Sequence, residues 1–228
     1  QARLAYAELV DFSHGFAAEG QYQLGEICRR RGDLEGAGQA FAEAHQLGRD
    51  PLPGLALVRL AEGRAEVAGA LLARSLAEPE LTPLARAKLL PAEIEAAVAL
   101  RDIGRAEAAA TALEGIAETY GTDVLRAEAL VGRGRVALTG GDPEQSIGCL
   151  RSAVRTWGAT DAPYETALTR TLLAEAYLAA GDAHAAELEV AAARLVADDR
   201  PVVAEPGGVA LAAALARAEP VVEVRAIP

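Results

Sequence analysis

The 228-residue chain is 51% hydrophobic but only 4% aromatic, so its apolar content is mostly Ala, Leu and Val, and its formal net charge is −11. Small residues at this density suit close-packed helices and not β-sandwiches, whose strands favour β-branched and aromatic side chains. The acidity, with Lys88 the single lysine, argues against direct nucleic-acid binding, because a phosphate backbone would be repelled.

From the N-terminus, Gln1 to Leu9 carries no basic segment followed by an apolar run, so a secretory signal is not expected. No run of about 18 apolar residues is free of charges and turn residues, which excludes a membrane-spanning helix on sequence grounds. The first residue is Gln and the chain has no Met, as expected of a segment of a longer protein. His14-Gly15 reads as an inter-helix turn. Cys28 and Cys149 each sit in an apolar helical pattern and read as two reduced thiols, which points to a cytoplasmic location.

Self-similarity is the main signal. Gly32-Asp33, Gly63-Arg64, Gly104-Arg105, Gly141-Asp142 and Gly181-Asp182 each separate two amphipathic stretches of helical length, at spacings of 31, 41, 37 and 40 by subtraction. Gly ends the first helix in the left-handed conformation, and an acidic residue then meets the positive end of the second. Each step therefore predicts an antiparallel helical hairpin. Pro51-Leu52-Pro53-Gly54 forces an abrupt turn, and the helix after it is short, ending by Glu62. Pro143 starts a helix, where proline is tolerated. Residues 1–200 thus form one repeat domain. The tail, 201–228, breaks the pattern at Pro201 to Gly208, resumes as a short Ala/Leu helix from Val209 to Ala218, and reads as a capping helix or a linker.

Leu24-Gly25, Ala37, Phe41 and Ala44 in the first unit, and Leu173-Ala174, Tyr177, Ala186, Val190 and Ala193 in the last, carry a resemblance to the tetratricopeptide repeat. Ala68 and Leu72, Ala109 and Leu113, and Gly134, Leu150 and Ala153 take equivalent offsets between them, with Ser146 at a usual alanine position. The resemblance implies an all-α fold, a right-handed α-α superhelix of about five antiparallel hairpins. Leu150 to Trp157, Ala162 to Glu165, Leu172 to Tyr177, Gly48 to Gly63 and Ala87 to Ala92 further resemble the helical-repeat region of large bacterial LuxR-type transcriptional regulators. In that family an NTP-binding domain precedes the repeats and a helix-turn-helix domain follows. Leu81-Thr82-Pro83 imitates the opening of the DNA-binding bundle, but Leu84-Ala85-Arg86 does not continue it.

Catalytic patterns are lacking. His14, His45 and His184 have no second ligand at metal spacing, and no nucleophile elbow or P-loop occurs. Glu93/Glu95 and Glu187/Glu189 are two apart, which points them in different directions on a helix and suggests solvated faces. Arg29-Arg30-Arg31 reads as the basic end of a helix, with contact to an acidic partner or a phosphate as the alternative. Trp157 and Tyr164 are expected to pack between the last two hairpins.

The expectation is therefore a non-enzymatic segment without cofactor or metal that binds a protein or peptide partner or a small effector. Self-association into a homo-oligomer is compatible with it. By the resemblance, the first helices of the hairpins line a concave face and present Tyr22, Glu26, Arg29, Arg135, Leu138, Thr171, Glu175 and Leu178. Tyr22 and Glu26 stand where a clamp for a C-terminal carboxylate needs Lys and Asn, which disfavours that ligand. The role implied is to relay binding to the other domains of a LuxR-type regulator. The alternative is a generic tetratricopeptide scaffold of another signalling protein, such as one with a cyclase or kinase domain.

Overall fold

The computed structural model describes the backbone of residues 2–198 and the side chains of residues 15–195. The 201–228 tail lies outside the described residues. Ten helices and no strand occur among the described residues: α1 (Ala2–Arg30), α2 (Leu34–Gln46), α3 (Gly54–Ala61), α4 (Ala65–Leu76), α5 (Pro83–Ala99), α6 (Ile103–Tyr120), α7 (Asp123–Thr139), α8 (Pro143–Ala159), α9 (Pro163–Ala179) and α10 (Ala183–Asp198). They pair as α1/α2, α3/α4, α5/α6, α7/α8 and α9/α10, and each pair packs on the next. The chain is an all-α stack of helical hairpins. Helix α1 runs through His14-Gly15 without the turn expected there; an isolated Gly within a helical pattern is tolerated at modest cost.

The hairpin turn recurs with one chemistry. Gly32, Gly63, Gly141 and Gly181 have φ of 77°, 75°, 85° and 84°, the left-handed conformation expected of them. Behind each, an N–H reaches back five residues to a helix carbonyl, as Asp33 to Cys28 and Asp182 to Tyr177. Asp33, Asp102, Asp142 and Asp182 then accept the N–H of Gly36, Arg105, Gln145 and Ala185, capping the second helix.

The third turn is displaced from its predicted place. Gly104 lies in the first turn of α6, while the left-handed residue is Arg101, with φ 57°, and Asp102 N–H closes the same bond to Ala97. The Gly-Arg-Ala-Glu copies at 63–66 and 104–107 therefore sit in different registers. Counted from the left-handed residues, the units are 31, 38, 40 and 40 apart, by subtraction.

In that register the core repeats. Five, nine and twelve residues beyond the turn lie Ala37, Phe41 and Ala44; Ala68, Leu72 and Ser75; Ala106, Ala110 and Leu113; Ser146, Leu150 and Ala153; and Ala186, Val190 and Ala193, all buried. Seven residues before it lie Gly25, Ala56, Ile94, Gly134 and Ala174. A Cβ on Gly25 would fall 2.7 Å from the Phe41 ring, and one on Gly134 2.7 Å from Leu150, so the small residue of the first helix receives the large one of the second. The third unit inverts this pair: Ile94 is large and Ala110 small within one core cluster. Gly132 of α7 makes room, since a Cβ there would stand 2.7 Å from Ile94 Cδ1.

Arg105 ties three helices together. Its guanidinium donates to both carboxylate oxygens of Glu93, and Nη2 also donates to the Gly69 carbonyl at 2.7 Å. Arg133 of α7 likewise holds Glu114 and Glu107 of α6, and Arg170 of α9 holds Glu189 of α10. Glu93 and Glu189 are therefore partnered between helices, a correction to the solvated faces expected of them. Each lies on a helix side that meets another element, which spacing along one helix does not reveal. The decoy at Leu81-Thr82-Pro83 is a helix start, with Thr82 accepting the Ala85 N–H and Pro83 in the first turn.

Odd-numbered helices touch one another along the stack, α1 with α3, α3 with α5, α5 with α7 and α7 with α9, whereas even-numbered ones do not do so to a comparable extent. The odd helices therefore form the inner layer of the stack.

Candidate functional site

Helices of the inner layer run side by side, so residues seven apart on each, two turns along one face, form a continuous wall. On α7 those residues are Glu128 and Arg135. From α5, Glu95 accepts an ion pair from Arg135 at 3.2 Å. From α1, Glu26 holds Arg29 at 2.7 Å and lies 4.0 Å from Arg30. From α9, Tyr164 and Glu165 meet α1 directly: the Arg30 guanidinium lies over the Tyr164 ring at 4.5 Å from its centroid and reaches Glu165 at 3.6 Å. First and last odd helices of the stack thus join across the wall through side chains.

Four carboxylates and three guanidiniums converge here. Among the described residues, Glu26, Glu95 and Glu165 each have an arginine within 4 Å, and Glu128 does not. Burial, and next the charges of Glu95 and Glu165, push the Glu128 carboxyl up to about 7, with Arg135 opposing. Burial works against the charge on Arg29, but its hydrogen bond and attraction to Glu26 outweigh this and hold its pKa above the ordinary value. Burial likewise raises the Tyr164 hydroxyl, against the pull of Arg29 and Arg30. The wall is a partly buried surface of mixed charge on which Glu128 is the group least compensated.

The residues expected on the concave face divide. Glu26, Arg29 and Arg135 stand in the wall. Tyr22 is a packing residue, 8% exposed, its ring 5.3 Å from Phe41 and covered on another side by Arg49 at 4.3 Å. Thr171 is 1% exposed and donates its hydroxyl to the Leu168 carbonyl. Leu138 packs against the core of Ile147, Leu150 and Leu173, and Leu178 against Ala174, Ala186 and Val190. Glu175 is half-buried and has an interaction partner of its own.

Arg30, Glu95, Glu128, Tyr164 and Glu165 were not anticipated in this role. Sequence spacing did separate Glu93 from Glu95, and the two indeed point to different partners, Arg105 and Arg135. Tyr164 was expected beside Trp157. Instead Trp157 packs with Ala127 and Ala153, and Tyr164 faces Arg30. The seven-residue step from Glu128 to Arg135 was the available signal.

His45 and His184 are exposed. Cys28 and Cys149 are free thiols, each partly buried, and burial raises both. Among the described residues no group of His, Cys, Asp and Glu is arranged to hold a metal ion, and no helix is long and apolar enough to cross a membrane. Compared with protein-family models, with curated proteins and with solved structures, the chain matches none of them.

Proposed function

We propose that the chain is a non-catalytic binding segment whose concave wall holds a protein or peptide partner or a small effector. The reading goes on to a regulatory role: the tetratricopeptide-like stack of a LuxR-type transcriptional regulator, passing the bound state to domains elsewhere in the parent protein. One observation supports the binding part. Charged and aromatic side chains from α1, α5, α7 and α9 converge on one inner surface, although they are far apart in the chain. A stack needs only apolar contacts to hold its hairpins together. Partly buried charges on the inner layer oppose stability, as the raised Glu128 pKa reflects, and such a departure is a mark of function in general. The regulatory part rests on the sequence resemblance.

A thermal-shift screen of sugars, nucleotides and short peptides tests binding, since a ligand of the native state raises the melting temperature. The expected result is a hit whose shift is reduced in Arg135→Ala and in Glu128→Gln. A hit unaffected by both variants overturns the assignment to this wall. The parent gene tests the regulatory part: a downstream helix-turn-helix segment is expected, and without one the generic scaffold replaces the regulator.

A further inference from the structure

The repeat register marks the face of each odd helix that receives the hairpin before it. Five residues before the turn lie Val58, Ala96, Val136 and Ala176, each no more than 1% exposed. Each shares a core cluster with the preceding hairpin: Val58 with Phe41, Ala96 with Leu72, Val136 with Leu113 and Ala176 with Leu150. Eight before the turn, Leu55, Glu93, Arg133 and Leu173 are buried or half-buried. Twelve before it, Pro51, Leu89, Ala129 and Thr169 are buried.

On α1 the same positions are Ile27, Leu24 and Gly20, and there the face is open. Ile27 is 49% exposed and Leu24 47%, and a Cβ on Gly20 meets nothing within 4 Å. Phe16, 66% exposed, extends the stripe by one turn. Helix α1 runs unbroken from Ala2, so its earlier residues continue along the axis and do not fold back over the stripe.

We propose that this open face of α1 is the seat of the chain's own segment 209–218, which takes the place of a preceding hairpin's second helix. The first argument is reach. Helices α9 and α10 are antiparallel and have 17 and 16 residues, so α10 ends beside the start of α9. At that start, Tyr164 and Glu165 meet Arg30, one turn from Ile27. Crossing from α10 over α9 to α1 covers about 20 Å, two helix spacings. The intervening residues 199–208 extend up to about 33 Å.

The second argument is chemistry. Leu211, Ala214, Leu215 and Ala218 recur at the spacing of one helical face. Ile147, Leu150 and Val154 of α8, which receive Leu173 and Ala176 of α9, recur in the same manner. The far end of the stack asks for no such cover. Six and thirteen residues beyond the turn, where α8 has Ile147 and Val154, α10 carries Glu187 and Arg194. Leu188 and Leu195 are exposed, but they stand on the outer side that Gln39, Ala70, Ala108 and Gly148 also leave open. A second copy is the weaker occupant. Three partly exposed side chains fall well short of the ~800 Å² that each partner buries in a stable complex, whereas a tethered segment binds at high effective concentration. The seat uses none of the wall residues, so this proposal and the binding wall fail separately.

Thiol protection in the full chain is the test. Gly20→Cys is made with Cys28 and Cys149 replaced by Ala, and its reaction with a water-soluble maleimide is timed. The pair Leu211→Asp and Leu215→Asp, outside all ten helices, is expected to speed labelling by about tenfold. In return, Ala214→Cys should be labelled faster in Leu24→Asp. Leu188→Cys should react at one rate with and without the aspartates. Circular dichroism checks that each variant is folded. A Gly20→Cys rate that the aspartates leave unchanged overturns the proposal. So does protection found at Leu188→Cys instead, or a rate that falls as chain concentration rises, the mark of a second copy.

Discussion

Removing the two ends of the Glu93–Arg105 pair has unequal consequences. The Glu93 side chain is 7% exposed and takes both its hydrogen bonds from Arg105, whose own side chain is 27% exposed. Arg105→Met strands a buried carboxylate and also frees the Gly69 carbonyl. An uncompensated buried charge costs about 3–5 kcal/mol. Glu93→Leu leaves a guanidinium that turns to water and keeps its bond to Gly69, at about 1–2 kcal/mol. The double variant replaces a charged pair with apolar groups of similar volume and stays within about 1 kcal/mol of the parent. Urea unfolding followed by far-ultraviolet circular dichroism measures all three. For a chain of this length 1 kcal/mol shifts Tm by about 2–4 °C, so Arg105→Met should lower Tm by about 6–20 °C. The reasoning is refuted if Glu93→Leu costs as much as Arg105→Met, or if the double variant costs the sum of the two.

Ser146 is fully buried, its hydroxyl has no hydrogen-bond partner, and alanine takes this place in all four other units. Ser146→Ala should therefore stabilise by about 1 kcal/mol, seen as a higher urea midpoint. Arg101 holds φ 57° where four other hairpins use glycine, and Arg101→Gly should gain about 1 kcal/mol in the same assay, the relief of left-handed strain exceeding the added freedom of the unfolded chain. Two helical glycines should respond with opposite signs to alanine. At Gly134 the new Cβ meets Leu150 at 2.7 Å and costs about 1–3 kcal/mol, whereas at Gly148 it meets nothing within 4 Å and gains about 0.5–1 kcal/mol. Equal responses at the two sites would refute the packing register of the fourth hairpin.

Why the fold was legible and the wall was not follows from what each is made of. A hairpin is specified locally: a residue able to turn left-handed, an Asp to cap the next helix, and small and large residues at fixed offsets. Gly32, Gly141 and Gly181 carry all of these within a dozen positions, so their units were readable. The third unit was misread by three residues because Arg101 occupies the glycine position and Gly104 follows it as a lure. The inversion of Ile94 and Ala110 removed the check that would have exposed the error, since a large residue stands where the pattern needs a small one.

The wall depends on something no single unit encodes, the rotation of each hairpin on the next. Glu128 is 33 residues from Glu95 and 37 from Glu165, by subtraction, and only the summed geometry of the intervening units brings the three together. A substitution that changes hairpin stacking should therefore alter the electrostatics of a carboxylate in the wall. Gly132→Ala is such a case, because its Cβ would push Ile94, which sets how α5 lies on α7. If α7 is displaced from Glu95, one of the two repelling carboxylates recedes, and the Glu128 pKa should fall below about 7 while the helix content is retained. Carbon-13 side-chain titration of the folded variant reads this directly. An unchanged titration would mean that the wall is set within α7 alone and not by the stack.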